Sequence, residues 1–312
     1  MEDNNTKQEK PEQFKKDFSK AIFETIRLWC TSEYEHKEKF QQAYYYWVKA
    51  DENKKENIIN IYLKDYKEFL SDYSIGRNIG KVEGEKSSNE NIKNVLKIVF
   101  NYLNESGSVK IKKTKDEEES ISLDKHSFDN DLHPVDYIAS IIQKAGISSK
   151  IYSKKESDSI NRRLPISLVA KSLFLKYPDK VALYDTRVCR GMKKVFKSWD
   201  YNDNNDDNKY INYYSKYSEL ISDNSPYKVE GIKIIEDLLS NTYKSIIINY
   251  FEAFFEFLEK RTSTQIDSDN SIIIDPYLSL DIMEIENKDK KEFLYQRSLD
   301  KYLWYLGDPN KE

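Results

Sequence analysis

The chain has 312 residues and a formal net charge of −4, with 33% charged and 38% hydrophobic residues. This length is sufficient for a sizeable core in one or two domains, and 24 tyrosines and 14 phenylalanines supply aromatic surface for it, which argues against a disordered chain. Eight glycines and seven prolines are too few for a turn-rich all-β sandwich.

The first third of the chain is predicted to be helical after a short polar leader. Residues 1–12 are expected to be disordered and lack the apolar segment of a signal peptide. Residues 13–103 form a predicted N-terminal helical region, with apolar residues at helical spacing over 14–32, 39–47 and 57–73. Asn89 is the expected N-cap of a further helix over 92–103. The stripe of the third helix consists of Ile58, Ile61, Tyr62, Tyr66, Phe69 and Leu70.

A change of composition at 104–131 predicts a loop or a small β excursion, and it is the candidate domain boundary. Residues 132–312 form a predicted C-terminal helical region. Its first helix opens at Pro134 and ends at Gly146. Further helices are expected over 165–176, 186–199, 210–222, 229–259 (as one helix or two) and 290–306, with one short strand at 272–274. The predicted fold class is therefore all-α, mostly helical with at most a minor β excursion.

Several functional classes find no support in the sequence. Cys30 and Cys189 are interpreted as reduced, buried thiols of a cytoplasmic protein. The apolar runs are shorter than the roughly 18 residues that span a bilayer, so no membrane partner is expected. His36, His126 and His133 are scattered, and Cys-x-x-Cys is absent, so neither a metal nor another cofactor is predicted. The sequence names no protein partner.

Positive charge is concentrated between Arg162 and Lys197. This segment holds ten lysines or arginines and two aspartates, a net +8, while the rest of the chain sums to −12. Positive charge that is concentrated in one segment of an acidic protein predicts a local anion-binding site. Asp185, one of the two acids, directly follows the apolar run VALY. A lone carboxylate in basic surroundings is a candidate for chemistry.

Residues 164–188 resemble the core of the helix-hairpin-helix DNA glycosylases, a superfamily that includes 8-oxoguanine glycosylase. The family signature is Leu-Pro-Gly-Val-Gly, then a helix with Thr-Ala or Val-Ala, and later an apolar approach to an invariant aspartate. Here Leu164-Pro165 opens the segment, Val169-Ala170 follows in the helix, and PDKVALYDTRV places Asp185 at the catalytic position. The resemblance implies a helical glycosylase-like core in the C-terminal region.

The hairpin departs from the family pattern. Ile166 and Ser167 replace the two glycines, and the segment is two residues shorter. Glycine lets backbone N–H groups approach a phosphate closely, so the hairpin is degenerate. Leu168 occupies the position of the Schiff-base lysine of bifunctional members, and Lys171 faces another direction on the helix. We therefore expect a monofunctional glycosylase, without lyase chemistry.

The resemblance implies an enzyme that flips a damaged or modified base out of DNA and excises it, leaving an abasic site. By family analogy, foreign modified DNA is a candidate substrate, which suggests antiviral defence. A carboxylate at Asp185 would stabilise the oxocarbenium ion or deprotonate a water. The residues expected to bind DNA are Arg187, Arg190, Lys193, Lys194, Lys171 and Ser167. The rings expected to line the base pocket are Tyr184, Phe174, Tyr177 and Trp199.

Two alternatives stay open. Asp185 and Thr186 are also the expected cap of the helix that follows, and the basic residues are then its solvated face, paired with an acidic loop at 203–207. The corresponding function is a catalytically inactive nucleic-acid-binding or protein-interaction module. The negative net charge favours this alternative, because DNA-binding domains tend to be basic.

Overall fold

The computed structural model describes residues 11–28, 32–76, 79–80, 88–112, 117–124, 133–149, 164–177, 180–197, 199, 209–240 and 287–309. Within these residues the protein is mostly helical, with ten α-helices and one two-stranded sheet. The predicted mostly helical class is thereby confirmed.

The elements follow the order expected from the apolar periodicity. The predicted leader over residues 1–12 extends too far, because Pro11 and Glu12 already belong to the first helix. Residues 1–10 lie outside the described residues. Ser88, not Asn89, is the N-cap of α4. The predicted segments 241–259 and 272–274 also lie outside the described residues. In chain order the elements are α1 (Pro11–Leu28), α2 (Tyr34–Lys49), α3 (Glu52–Asp72), α4 (Asn89–Leu103), β1 (Ser108–Lys112), β2 (Glu118–Ser122), α5 (Pro134–Lys144), α6 (Ile166–Phe174), α7 (Thr186–Val195), α8 (Lys209–Ile221), α9 (Pro226–Ser240) and α10 (Asn287–Leu306).

The chain forms two compact units. Unit 1 comprises Met1–Tyr34, Thr186–Asp200 and Lys216–Glu312, and unit 2 comprises Glu35–Asp185 and Tyr201–Ser215. This division falls elsewhere than the predicted boundary at 104–131, which lies inside unit 2.

The β1–β2 hairpin belongs to unit 2 because it is fastened to α4. The strands pair antiparallel, with Val109 and Ile111 buried on one face. The amide of the buried Asn94 donates to the carbonyl of Lys112 at 2.7 Å and its oxygen accepts from the Lys112 N–H at 3.1 Å. A side chain that satisfies both backbone groups of one residue fixes the end of β1 against α4.

The core of unit 2 is aromatic, as the composition predicts. The Phe100 ring on α4 contacts Phe40 and Trp47 of α2 edge-on, with centroids 5.3 and 5.7 Å apart. Tyr66 of α3 is fully buried, and its hydroxyl forms a 2.7 Å hydrogen bond with Ser172 of α6. This bond satisfies both hydroxyls and fixes the register of α6 against α3.

Unit 1 is built around α10. Phe14 and Phe18 of α1 pack against Tyr302 with centroids 5.1 and 6.0 Å away. On α7, Gly191 lies so close to α10 that an added Cβ would stand 2.0 Å from the Leu303 carbonyl oxygen. Gly307, after α10, lies against α7 in the same way, with its Cβ position 1.8 Å from the carbonyl oxygen of Arg187. The two helices therefore meet backbone to backbone.

Candidate functional site

Asp185 lies at the end of a buried, irregular segment of unit 2. Val181, Ala182 and Tyr184 are at most 5% exposed, whereas 27% of the Asp185 side chain is exposed. The next residue, Thr186, begins α7, so Asp185 occupies the N-cap position. Because the residues before Asp185 are buried, its backbone is fixed, and this limits the positions open to its carboxylate.

Two tyrosines of α8 hold this segment. The Tyr210 hydroxyl donates to the Ala182 carbonyl at 2.9 Å, and the Tyr213 hydroxyl donates to the Leu183 carbonyl at 3.0 Å. Both tyrosine side chains are fully buried. Carbonyl groups of an irregular segment need such partners, because no neighbouring strand supplies them. The role of these two tyrosines could not be predicted from the sequence, because the spacing of residues on an amphipathic helix does not show which group a tyrosine hydroxyl binds.

The start of α8 is in turn fixed by a buried carboxylate. Asp136 of α5 is fully buried and accepts the N–H groups of Tyr210 and Ile211 at 2.7 and 2.8 Å. An acidic side chain at the first turn of a helix satisfies free N–H groups and complements the helix dipole. The preceding His133 caps α5, where its Nδ1 accepts from the Val135 N–H at 3.1 Å, and its ring packs 4.5 Å from that of Tyr210.

His133 gives the site's support a pH dependence. Burial lowers the pKa of His133 from 6.5 to about 4. The unfolded chain therefore binds a proton near pH 6.5 that the folded chain does not bind until about pH 4. We expect stability from this group to be complete above pH 6.5 and to decrease as the pH falls toward 4, by about 3 kcal/mol in all.

The control variant is His133→Asn, which keeps an acceptor for the Val135 N–H but does not titrate. Urea unfolding measures, for each protein, the decrease of the unfolding free energy between pH 7 and pH 4. Subtracting the decrease in the variant from that in the wild type removes the contribution of the carboxylates, which both proteins share. Equal decreases of stability in the two proteins would contradict the buried neutral imidazole.

Lys171 is the charged partner of Asp185. Its side chain is 7% exposed, and its Nζ lies 3.9 Å from Asp185 Oδ2 and 5.2 Å from the ring centroid of Tyr73. Among the residues predicted to bind DNA, Lys171 is therefore a buried residue that pairs with the Asp185 carboxylate. The hydrogen bond between Tyr66 and Ser172 fixes the neighbouring residue of α6 and thus aims Lys171 inward.

Tyr73 connects this pair to a second one at the ends of α2 and α3. The ring of the buried His36 lies 6.4 Å from that of Tyr73, and its Nε2 is 2.8 Å from Asp72 Oδ2. In the sequence His36 stands as an isolated histidine. Its contact with Asp72 could not be foreseen, because only the packing of α2 against α3 brings the two residues together.

The rings predicted to line the base pocket differ in their burial and in the unit to which they belong. Phe174 is 1% exposed and Tyr184 is 5% exposed, with the Tyr184 ring edge-on to that of Tyr213. Tyr177 is half-buried, with Lys180 over its ring. Trp199 belongs to unit 1, whereas the other three rings belong to unit 2. Phe174 and Tyr184 are core side chains, because they lie on the buried faces of their segments.

The predicted phosphate-binding residues differ in their surroundings. Ser167 is half-buried in the first turn of α6, and Arg187 is half-buried in unit 1. The exposed basic residues of α7 and its end are Arg190, Lys193, Lys194 and Lys197. Arg190, Lys194 and Lys197 form no ion pair with any residue that the structure describes. The opposite face of α7 is buried through Val188, Cys189 and Met192. The acidic loop at 203–207 lies outside the described residues.

An open cleft of about 580 Å³ lies elsewhere in unit 2, between α2 and α3. Ala43, Tyr46, Ile58 and Ile61 supply its apolar lining. Of its three lysines, Lys39, Lys49 and Lys54, the first forms ion pairs with Glu35 and Asp65. The cleft shares no residue with the cluster around Asp185, so it is not part of the candidate site.

Other kinds of site receive little support. Within the described ranges, no group of three or more His, Cys, Asp or Glu side chains is arranged to hold a metal ion. None of the helices there combines the length and apolar character needed to cross a membrane. Cys189 is buried as a free thiol, and Cys30 lies outside the described residues.

No protein-family model, no curated protein and no solved structure matches the chain.

Proposed function

We propose that the protein is a monofunctional DNA glycosylase that uses Asp185 to hydrolyse the N-glycosidic bond of an extruded nucleotide. The observation that carries the proposal is the pairing of a partly exposed carboxylate with a buried ammonium group, at the end of a segment held by two tyrosines. Enzymes place such fixed charges where charge develops in the transition state.

The chemistry requires one carboxylate and one water. As the bond between C1′ and the base nitrogen breaks, its electron pair leaves with the base and the sugar becomes an oxocarbenium ion. The Asp185 carboxylate stabilises that cation or accepts a proton from the water whose oxygen adds to C1′. The products are the free base, which gains a proton, and an abasic site.

In this mechanism Lys171 is a positioning residue. Its side chain is 7% exposed against 27% for Asp185, so the carboxylate rather than the amine reaches the solvent. Leu168, at the position of the family's Schiff-base lysine, is fully buried. Both features support hydrolysis without lyase chemistry.

DNA is the proposed partner because of the exposed cations on α7. Arg190 and Lys194 lie one helical turn apart, so they present two charges along one face. Neither side chain forms an ion pair with a residue that the structure describes, and exposed cations of this kind attract phosphates.

Replacing Arg190 and Lys194 together by Ala is expected to weaken binding to DNA of any sequence. The slope of log affinity against log salt should fall by about one unit for each phosphate that is no longer neutralised. Fluorescence anisotropy with a labelled duplex at several salt concentrations measures both. The matched control removes Lys64 and Lys67, two exposed lysines of α3. If the two double variants bind DNA equally well, α7 presents only a solvated face.

The catalytic proposal is tested by treating DNA with the protein and then with alkali, which breaks the strand at abasic sites. The substrates should include duplexes with single damaged bases and phage DNA with modified bases, since foreign DNA is the proposed target in antiviral defence. Wild-type protein is expected to produce breaks that appear only after alkali.

A second candidate function is a catalytically inactive nucleic-acid-binding or protein-interaction module. The observation that favours it is the burial of Phe174 and Tyr184, which leaves neither ring open to a flipped base. DNA binding without release of any base, over the whole set of substrates, would support this alternative.

A further inference from the structure

A second group of cations surrounds two aromatic rings near the end of α10 in unit 1. The Arg187 guanidinium lies 4.2 Å from the ring centroid of Trp304, and the Lys301 ammonium lies 4.9 Å from it. Lys20 of α1 lies 4.9 Å from the ring centroid of Tyr305. These distances are in the range of cation–π contacts. Lys20 is exposed, whereas Arg187, Lys301 and both rings are half-buried, so the cations have an apolar support beside them.

Two acids, Glu24 and Asp308, lie near these rings. Glu24 is bound to Arg27, whose guanidinium lies 2.8 Å from its carboxylate, and this interaction raises the pKa of Arg27. Asp308 follows shortly after the end of α10. Three cations contact the rings: Lys20, Arg187 and Lys301.

This group is continuous with the exposed cations of α7. Gly191 and Gly307 let the backbones of α7 and α10 touch, and an added Cβ on Gly307 would meet the carbonyl oxygen of Arg187 itself. Arg187 therefore belongs to both groups: its backbone is part of α7, and its side chain rests on Trp304 of α10. The two helices present one basic surface.

Trp304 acts as a support for charge rather than as a platform for a base. Two cations already lie within contact distance of its ring. A guanidinium that lies against an aromatic ring keeps its N–H donors, which match the geometry of a phosphate. It also loses less conformational freedom on binding than a freely rotating side chain does.

We propose that α7 and the end of α10 form one phosphate-binding surface on unit 1, in which Trp304 holds Arg187 and Lys301 ready for the backbone of duplex DNA. The choice of DNA rests on the proposed function. The surface itself rests on contacts within unit 1, and none of its residues takes part in the proposed hydrolysis.

The test measures binding of a labelled duplex to Trp304→Leu, Trp304→Phe and Lys301→Ala, beside Lys233→Ala as a control. Lys233 is an exposed lysine of α9 in the same unit. We expect Trp304→Leu to weaken binding about fivefold, and Trp304→Phe to recover part of that affinity because it restores a ring. Lys301→Ala should lower the salt slope by about one unit, and Lys233→Ala should leave it unchanged. Circular dichroism of each variant shows whether the helices are retained.

The surface and the proposed function fail in different ways. If the wild type binds DNA and the Trp304 and Lys301 variants bind equally well, the surface proposal is overturned while the glycosylase proposal stands. A parallel titration with inorganic polyphosphate separates the partner from the chemistry. Binding of polyphosphate that depends on Trp304, without binding of DNA, would keep the phosphate-binding surface and remove the DNA function. Binding of neither polyanion would overturn the surface.

Discussion

Replacing Asp185 by Asn is expected to lower the rate of base release by roughly two to four orders of magnitude. The amide has nearly the same shape and caps a helix about as well as the carboxylate does. It carries no charge to stabilise an oxocarbenium ion and cannot accept a proton from water. DNA affinity should be unchanged or higher, because the substitution removes a negative charge from the neighbourhood of phosphates. Single-turnover measurement of base release, together with anisotropy, separates the two effects.

Lys171 supplies the control for this variant. Asp185→Asn removes the carboxylate that pairs with the buried Lys171 ammonium, so some decrease of stability is expected from the single substitution. The double variant Asp185→Asn, Lys171→Met removes both charges and should recover that stability without recovering activity. If activity returned with stability, Asp185 would be a structural residue and the catalytic proposal would be wrong.

Gly191→Ala is expected to destabilise unit 1 by about 3 kcal/mol, near the upper end of overpacking substitutions. The new Cβ would stand 2.0 Å from the carbonyl oxygen and 2.7 Å from the carbonyl carbon of Leu303. Both atoms belong to the backbone of α10, so no rotation of a side chain relieves the clash. The helices must separate instead, and the basic surface shared by α7 and α10 should weaken with them. Urea unfolding measures the stability, and DNA anisotropy measures the surface.

Gly107→Ala is the matched control, because its added Cβ would meet no atom within 4 Å. It should leave both the unfolding free energy and the DNA affinity close to those of the wild type. A Gly191→Ala protein as stable as Gly107→Ala would contradict the backbone contact between α7 and α10.

The helices could be predicted from sequence because amphipathic spacing reflects burial directly. In α3, Tyr62, Tyr66, Phe69 and Leu70 are buried as the stripe predicts. At its start the prediction was wrong: Ile59 is the buried isoleucine, and Ile61 is 69% exposed. Ile58, Ile59 and Ile61 lie close together in this helix, so spacing alone does not decide which of them faces the core.

The site was less accessible to sequence reasoning because its contacts join distant segments. Asp185 could be singled out from its place after an apolar run. Its partner Lys171 could not, because a lysine on a helix is typical of a solvated face and only packing against α3 turns it inward. Phe174 was assigned to a base pocket because it is near Asp185 in sequence, but it lies on the buried face of α6. Nearness along the chain does not determine which face of a helix a side chain occupies.

The measurement that tests the proposed activity most directly is a count of abasic sites in DNA after incubation with the protein. Aldehyde-reactive labelling detects such sites without breaking the strand, and it applies equally to damaged duplexes and to modified phage DNA. The proposal predicts abasic sites with the wild type on at least one of these substrates, and a background count with Asp185→Asn at equal DNA binding. A background count for the wild type on every substrate that it binds, or an equal count for Asp185→Asn, would contradict it.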